Sequence, residues 1–207
     1  MRVVAGAVRG VKVHLNGERV KVKDFKAYVE MYAKAAAELS GKKGDLVGAT
    51  DSKQTIIYER FGERWEVAFC PSEGQFTQVS FVNSIATTKG GTHVDHVTKQ
   101  LVEGIMEVVK KKNKAATIKP HQIKNHMWIF VNCQIENPAF DSQTKENMTL
   151  AASKFGSKCK ITEEFIKKVN KSGVVDNVLN FAKFQQDKQL KKTDGSKKNR
   201  CVTSQTV

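Results

Sequence analysis

Residues 127–135 form an almost continuous apolar run, Met-Trp-Ile-Phe-Val-Asn-Cys-Gln-Ile, with Asn132 inside it. A strand of this composition has no face to give to water. It predicts a central strand covered on both sides, and hence a layered fold in which helices supply the cover. Asn137-Pro138 then stops the strand, because proline cannot donate to a ladder.

The helices needed for that cover are legible from period and punctuation. Asp24 is placed to cap a helix in which Phe25, Tyr28, Val29, Tyr32, Ala36 and Leu39 share one face, with Gly41 at its end. From His93 onward Val94, Val97, Leu101, Ile105 and Val108 mark a long amphipathic helix. It finishes in Lys110-Lys111-Lys112, where cations suit the carbonyl end of the dipole. Thr162, with Glu163 and Glu164 behind it, opens a third helix that stops at Gly173. A fourth runs from Val174 to about residue 192, with Val175, Val178, Leu179 and Ala182 inward.

Shorter elements complete the set. Residues 11–15 and 18–22 flank Asn16-Gly17, which supplies the positive φ angles of a type I′ hairpin turn. Residues 55–60, 64–69 and 76–82 read as strands, with Trp65, Val67 and Phe69 alternating, and their short polar connections predict an antiparallel meander. Residues 41–53 read as a flexible connection and 193–207 as a disordered tail. The expected class is α/β in the α+β sense: a mainly antiparallel sheet covered by helices, with a long C-terminal helix.

Composition narrows the function classes. At 207 residues the chain can bury a core without staples, and 40% hydrophobic with 27% charged residues is globular. No apolar run approaches the roughly 20 residues that cross a bilayer, and Arg2 and Gly6 interrupt any signal-type core at the N-terminus, so neither membrane insertion nor secretion is expected. Cys70, Cys133, Cys159 and Cys201 lack metal spacing, and two sit in strand-like runs; free thiols in a reducing compartment are the expectation. The formal charge of +14 favours a polyanionic partner.

Spacing reveals no catalytic constellation. There is no HExxH, GxSxG or P-loop, and His14, His93, His96, His121 and His126 have no carboxylate or cysteine partners at ligand spacing. His93 and His96 are expected to serve helix capping and surface packing rather than a metal. Gly90-Gly91-Thr92 predicts a tight strand-to-helix turn with Thr92 as N-cap. The polar loop 141–147 follows the buried strand directly, a place where a lysine can be held toward a ligand on a rigid support.

Two long motifs carry a family resemblance. Residues 80–94, Ser-Phe-Val-Asn-Ser-Ile-Ala-Thr-Thr-Lys-Gly-Gly-Thr-His-Val, resemble the transducer domain of type II DNA topoisomerases. Residues 124–150, from Lys-Asn-His-Met-Trp-Ile-Phe-Val-Asn-Cys through Asp-Ser-Gln-Thr-Lys-Glu-Asn-Met-Thr-Leu, look like the eukaryotic enzymes. The resemblance spans roughly residues 11–192 and implies the fold shared with domain 2 of ribosomal protein S5. It further implies that Gln143, Thr144 and Lys145 meet the γ-phosphate of ATP, bound with Mg2+ mainly by a preceding ATPase domain. Lys110, Lys111 and Lys112 match a basic segment that touches double-stranded DNA, with Lys114 adding to the field.

By the same resemblance, residues 1–53 join that ATPase domain, 54–192 form the transducer and 193–207 the tail, in a nuclear, homodimeric, ATP-hydrolysing isomerase. The family's nucleotide pocket should precede residue 11, and its metal-binding domain and catalytic tyrosine should follow the last helix. Hence no catalytic residue and no metal site is expected in this chain, and a truncated gene model, inactive alone, accounts for both missing parts. Two other readings stand beside this one: a basic nucleic-acid-binding module of S5-like fold without ATP coupling, and an interaction protein that joins a full-length subunit and blocks its gate.

Overall fold

A computed structural model describes residues 2–41, 55–72, 74–113 and 118–195. The connection expected before residue 54, Lys114, Cys201 and residues 196–207 lie outside them. The chain opens with α1 (Arg2–Ala7), the hairpin β1 (His14–Leu15) and β2 (Glu18–Arg19), and α2 (Phe25–Gly41). Asn16 and Gly17 take φ of 51° and 82°, the turn that Asn-Gly predicts. The Asp24 carboxylate accepts from the Ala27 amide at 2.8 Å, so the predicted cap is in place.

Next come β3 (Ile57–Phe61), β4 (Trp65–Pro71), β5 (Thr77–Val82), β6 (Ile85–Ala86), β7 (Gly90–Gly91) and α3 (Thr92–Lys112). They are followed by α4 (Pro120–Lys124), β8 (Met127–Cys133), β9 (Asn147–Met148), a 3-10 turn (Ala152–Lys154), α5 (Glu163–Lys171) and α6 (Val174–Gly195). Thr162 caps α5 by accepting from the Phe165 amide. Helix α6 continues to Gly195, so the segment read as a tail begins inside it.

The main sheet has the order β3-β4-β8-β5-β6, and this corrects the expected meander. Strand β5 does not turn back on β4. Strand β8 inserts between them, antiparallel to β4 and parallel to β5. The reason is burial. Strands β4 and β8 are the two with both faces covered, and that cover exists only in the middle of the sheet. The fold is therefore mixed α+β, with β3–β4, β4–β8 and β5–β6 antiparallel.

Alternation along β4 and β8 divides the core in two. Trp65, Val67, Phe69, Ile129 and Val131 face α3, α5 and α6, where Leu101, Ile105, Phe165 and Val178 meet them. Ala68, Cys70 and Phe130 face the other way, toward Ala7 of α1 and Phe25, Tyr28 and Val29 of α2. On α3 the deepest residue of the last turn is Val109, with the expected Val108 only partly buried. Cys70, Cys133 and Cys159 are buried free thiols, and burial pushes Cys70 and Cys159 up to about 12.

One polar cluster interrupts the second core. Glu66 of β4, 4% exposed, stands opposite Asn132 of β8 in the strand register. Its carboxylate accepts from Arg9 Nη2 at 2.8 Å, from Tyr58 Oη at 2.6 Å and from Asn132 Nδ2 at 2.8 Å. Asn132 Nδ2 also donates to the Ala7 carbonyl at 3.0 Å, so the segment that follows α1 is fastened to the middle of the sheet. Burial first, and the Glu66 carboxylate second, raise the Tyr58 phenol above its usual range.

Candidate functional site

The loop at 141–147 closes on itself. The Asp141 amide donates to the Asn147 carbonyl at 3.2 Å, and Asn147 Nδ2 donates to Asp141 Oδ2 at 3.0 Å. That bond, the largest cause, and the nearby Lys89 charge hold the Asp141 carboxyl below the usual range. Across the tip, the Lys145 amide donates to the Ser142 carbonyl at 3.1 Å, and Lys145 takes a left-handed φ of 57°. Ser142 and Thr144 share a hydroxyl hydrogen bond of 2.8 Å. Gln143, Thr144 and Lys145 all stand exposed at this tip.

The base of the loop is bolted to the start of α3. The Lys89 amide donates to the Glu146 carbonyl at 3.0 Å. Gly90 and Gly91 then pair in parallel with Asn147 and Met148. Gly91 is required here, because a Cβ would lie 2.6 Å from the Met148 nitrogen, on a backbone with φ of 136°. Thr92 is the first helical residue, not the cap; the cap position belongs to Gly91, and the Thr92 hydroxyl donates to the Leu150 carbonyl at 2.6 Å. Four consecutive residues of one segment thus grip 146–150.

Behind this grip lies His93, fully buried rather than on the surface as the sequence reading had it. Its Nε2 lies 3.1 Å from Thr87 Oγ1, which in turn shares a hydrogen bond of 2.5 Å with Ser80 Oγ. Burial pushes the His93 imidazole down to about 4, so it is neutral at physiological pH. His96 packs against Trp65 and Phe155, with its Nε2 3.0 Å from the Cys159 carbonyl. Among the described residues no three His, Cys, Asp or Glu side chains gather as a metal would need. Asn83, the strand-end asparagine of the first motif, pairs with both backbone groups of Ile135 at 2.9 Å.

Lys110, Lys111 and Lys112 occupy the far end of α3, all exposed. Lys112 Nζ lies 3.1 Å from Asp176 Oδ1 at the start of α6. With 21 residues at about 1.5 Å each, α3 separates the lysine end from the loop end by roughly 30 Å. The structure therefore does not gather the two predicted sites. It places them at opposite ends of one helix. The sequence reading named both Lys89 and Glu146 within its motifs but missed that the two pair; a signal existed in their charges, but nothing local pairs residues so far apart in the chain.

The family model of DNA gyrase B matches residues 24–198. DNA topoisomerase 2 of Arabidopsis thaliana is 52% identical over 200 residues, which is 96% of this chain and 13% of that protein. DNA topoisomerase 2-beta of Homo sapiens is 50% identical over 196 residues, 94% of this chain and 11% of that protein. This chain thus spans about one part in eight of the Arabidopsis protein's length. The ATPase region of Saccharomyces cerevisiae topoisomerase II superimposes with a TM-score of 0.74 at 45% identity, covering 87% of this chain and 43% of that one. The ATPase and transducer domains of Balamuthia mandrillaris DNA topoisomerase II give 0.77 at 37% identity, covering 90% and 43%.

Proposed function

This chain belongs to the type II DNA topoisomerase family, and we propose that it acts there as the transducer, relaying the state of a bound nucleotide to a DNA-contacting end. The observation that carries the proposal is the loop tip, where Gln143, Thr144 and Lys145 are exposed together on a base hydrogen-bonded to the start of α3. Similarity to an ATPase region in yeast and to ATPase and transducer domains in Balamuthia supports it. In this reading the architecture is that of domain 2 of ribosomal protein S5. Residues 1–53 join the nucleotide-binding part, 54–192 make the transducer, and 193–207 are its tail.

The donor set at the tip suits a terminal phosphate. Lys145 offers a compact cation, Gln143 a neutral N–H donor and Thr144 a hydroxyl donor. Bound with Mg2+, ATP supplies the phosphoanhydride whose cleavage drives the cycle, and the metal is held outside this chain. Lys145 and Gln143 hold the γ-phosphate while it is present and lose that contact when it leaves, which frees the whole sheet and its helices to reorient. Lys110, Lys111 and Lys112 contact duplex phosphates without reading bases. The full assembly is a nuclear homodimer that passes one duplex through another.

The test places the 207-residue chain in the matching segment of Drosophila melanogaster DNA topoisomerase 2, 50% identical over 198 residues, and measures ATP-dependent relaxation with and without Lys145→Ala. Relaxation by the chimera and its loss in the variant are expected. If the two relax DNA alike, phosphate sensing by this loop is wrong, and a basic nucleic-acid-binding module without ATP coupling takes its place.

A further inference from the structure

Beside the exposed tip sits an ion pair with no part in the reading above. Lys89 Nζ lies 2.7 Å from Glu146 Oε2, and the backbones of the same two residues are hydrogen-bonded. The Lys89 side chain is 69% exposed and that of Glu146 37%. So open an ion pair contributes little to stability. A purely mechanical role is therefore a weak account of it, since the backbone bond, the β7–β9 pairing and the Thr92 bond already hold the loop.

Charge gives a better account. Asp141, Lys145 and Glu146 leave the loop with one net negative charge, an unfavourable setting for binding a phosphate. Glu146 is also the chain neighbour of Lys145, so a carboxylate without a partner there would compete with the phosphate for that ammonium. The Lys89 charge brings the total to zero and occupies Glu146. The Glu146 hydrogen bond and charge, with Asp141 adding, raise the Lys89 ammonium above its ordinary value.

We propose that Lys89 is a positioning residue for nucleotide sensing: it neutralises Glu146 and so leaves Lys145 free for the terminal phosphate. The proposal rests on the sensing role of Lys145. Lys89 itself does not touch the nucleotide.

The test uses the chimera carrying the whole chain. The dissociation constant for a non-hydrolysable ATP analogue is measured by calorimetry, with Tm and amide exchange of 141–147 as structural readouts. Lys89→Ala is expected to weaken binding about fivefold at low salt, from one uncompensated charge roughly 8 Å from a doubly charged phosphate, and less at high salt. Glu146→Gln should bind at least as tightly as the parent. The double variant Lys89→Ala/Glu146→Gln should return to within about twofold of it, because both harms of losing Lys89 come through the Glu146 carboxylate.

Four results would overturn the proposal. Glu146→Gln as weak as Lys89→Ala, with a lower Tm or faster exchange, makes the pair a clamp. A double variant as weak as Lys89→Ala means that Lys89 acts without Glu146, for instance on the phosphate itself. Lys89→Ala with unchanged affinity, while Lys145→Ala is impaired, removes Lys89 from sensing and leaves the sensing role intact. If Lys145→Ala also binds normally, it is the sensing role that has failed, and this proposal falls with it.

Discussion

Replacing Gly91 by alanine should be far more damaging than the same change one residue earlier. Gly91 has φ of 136° and ψ of −171°, a region that only glycine occupies comfortably, which costs about 1–3 kcal/mol for any other residue. Its added Cβ would also lie 2.6 Å from the Met148 nitrogen and 3.0 Å from the Met148 carbonyl carbon, both backbone atoms that cannot swing aside. Relief requires β9 to move off β7, giving up hydrogen bonds worth about 1 kcal/mol each. The expected total is about 3–5 kcal/mol, a large share of the 5–15 kcal/mol typical of a domain. At Gly90 the nearest atom is Gln78 Cδ at 3.6 Å and φ is 82°, so Gly90→Ala carries only the left-handed cost of about 1–2 kcal/mol.

Urea unfolding of both variants measures the global loss, and amide exchange at 146–150 separates two ways of taking it. If β9 stays docked, the full loss appears in the unfolding midpoint. If β9 peels away, the global loss is smaller but protection at Met148 collapses. A Gly91→Ala protein within about 1 kcal/mol of the parent, with protection intact, would refute the claim that backbone contact makes this glycine obligatory.

Further outcomes are expected elsewhere. Glu66→Ala should cost about 2–4 kcal/mol in urea unfolding, since it removes the acceptor of the Tyr58 hydroxyl and one of the acceptors of the Asn132 amide while Arg9 can turn to water; Tyr58→Phe should cost about 1–2 kcal/mol, and a Glu66 variant losing under 1 kcal/mol would show that the cluster is not needed. The His93 imidazole titrates at about 4 in the folded state against about 6.5 when unfolded, so its stabilisation is complete above pH 6.5 and declines as pH falls toward 4. The loss reaches roughly 3 kcal/mol at pH 4. His93→Gln should flatten that part of the pH–stability curve, leaving a residual slope from His126, whose buried ring is shifted the same way. Changing Lys110, Lys111 and Lys112 together to alanine should reduce the salt dependence of duplex binding by about two to three, measured by anisotropy with two unrelated sequences; an unchanged slope removes these lysines from the DNA contact.

What the sequence disclosed was local or periodic. The Asn16-Gly17 turn, the Asp24 and Thr162 caps and the buried stripe of α3 each depend on residues within a few positions of one another, and all are present. The order of the sheet is not local. Residues 71–76 look like any hairpin connection, and nothing in them says that the partner of β4 lies far along the chain, 66 residues on in the Glu66–Asn132 pairing. A clue was nonetheless present. β4 and β8 each carry a polar residue inside an apolar strand, Glu66 and Asn132, and two such residues buried alone would be costly, whereas opposite one another they are satisfied. The loop tip was found through its motif, while its support by residues 89–92 depends on a parallel contact that only the folded chain creates.

Under the proposed function, the route between the two ends must run through a rigid body rather than a bending one. Helix α3 buries Val97, Leu101, Ile105 and Val109 against the sheet and has glycine only at Gly104, packed close to Ile166 of α5. A helix held along its whole length in this way has no kink at which to absorb motion. Its first turn is tied to the loop through Thr92, and its last turn meets α6 through the Lys112–Asp176 pair. A displacement of Lys145 by a phosphate would therefore be carried to Lys110 by rotation of the sheet and helices together, at about 30 Å of lever arm. Spectroscopic distances between labels at the two ends of α3 should then stay constant across nucleotide states, while distances from α3 to the nucleotide-binding part change. A change along α3 itself would place the hinge inside the domain.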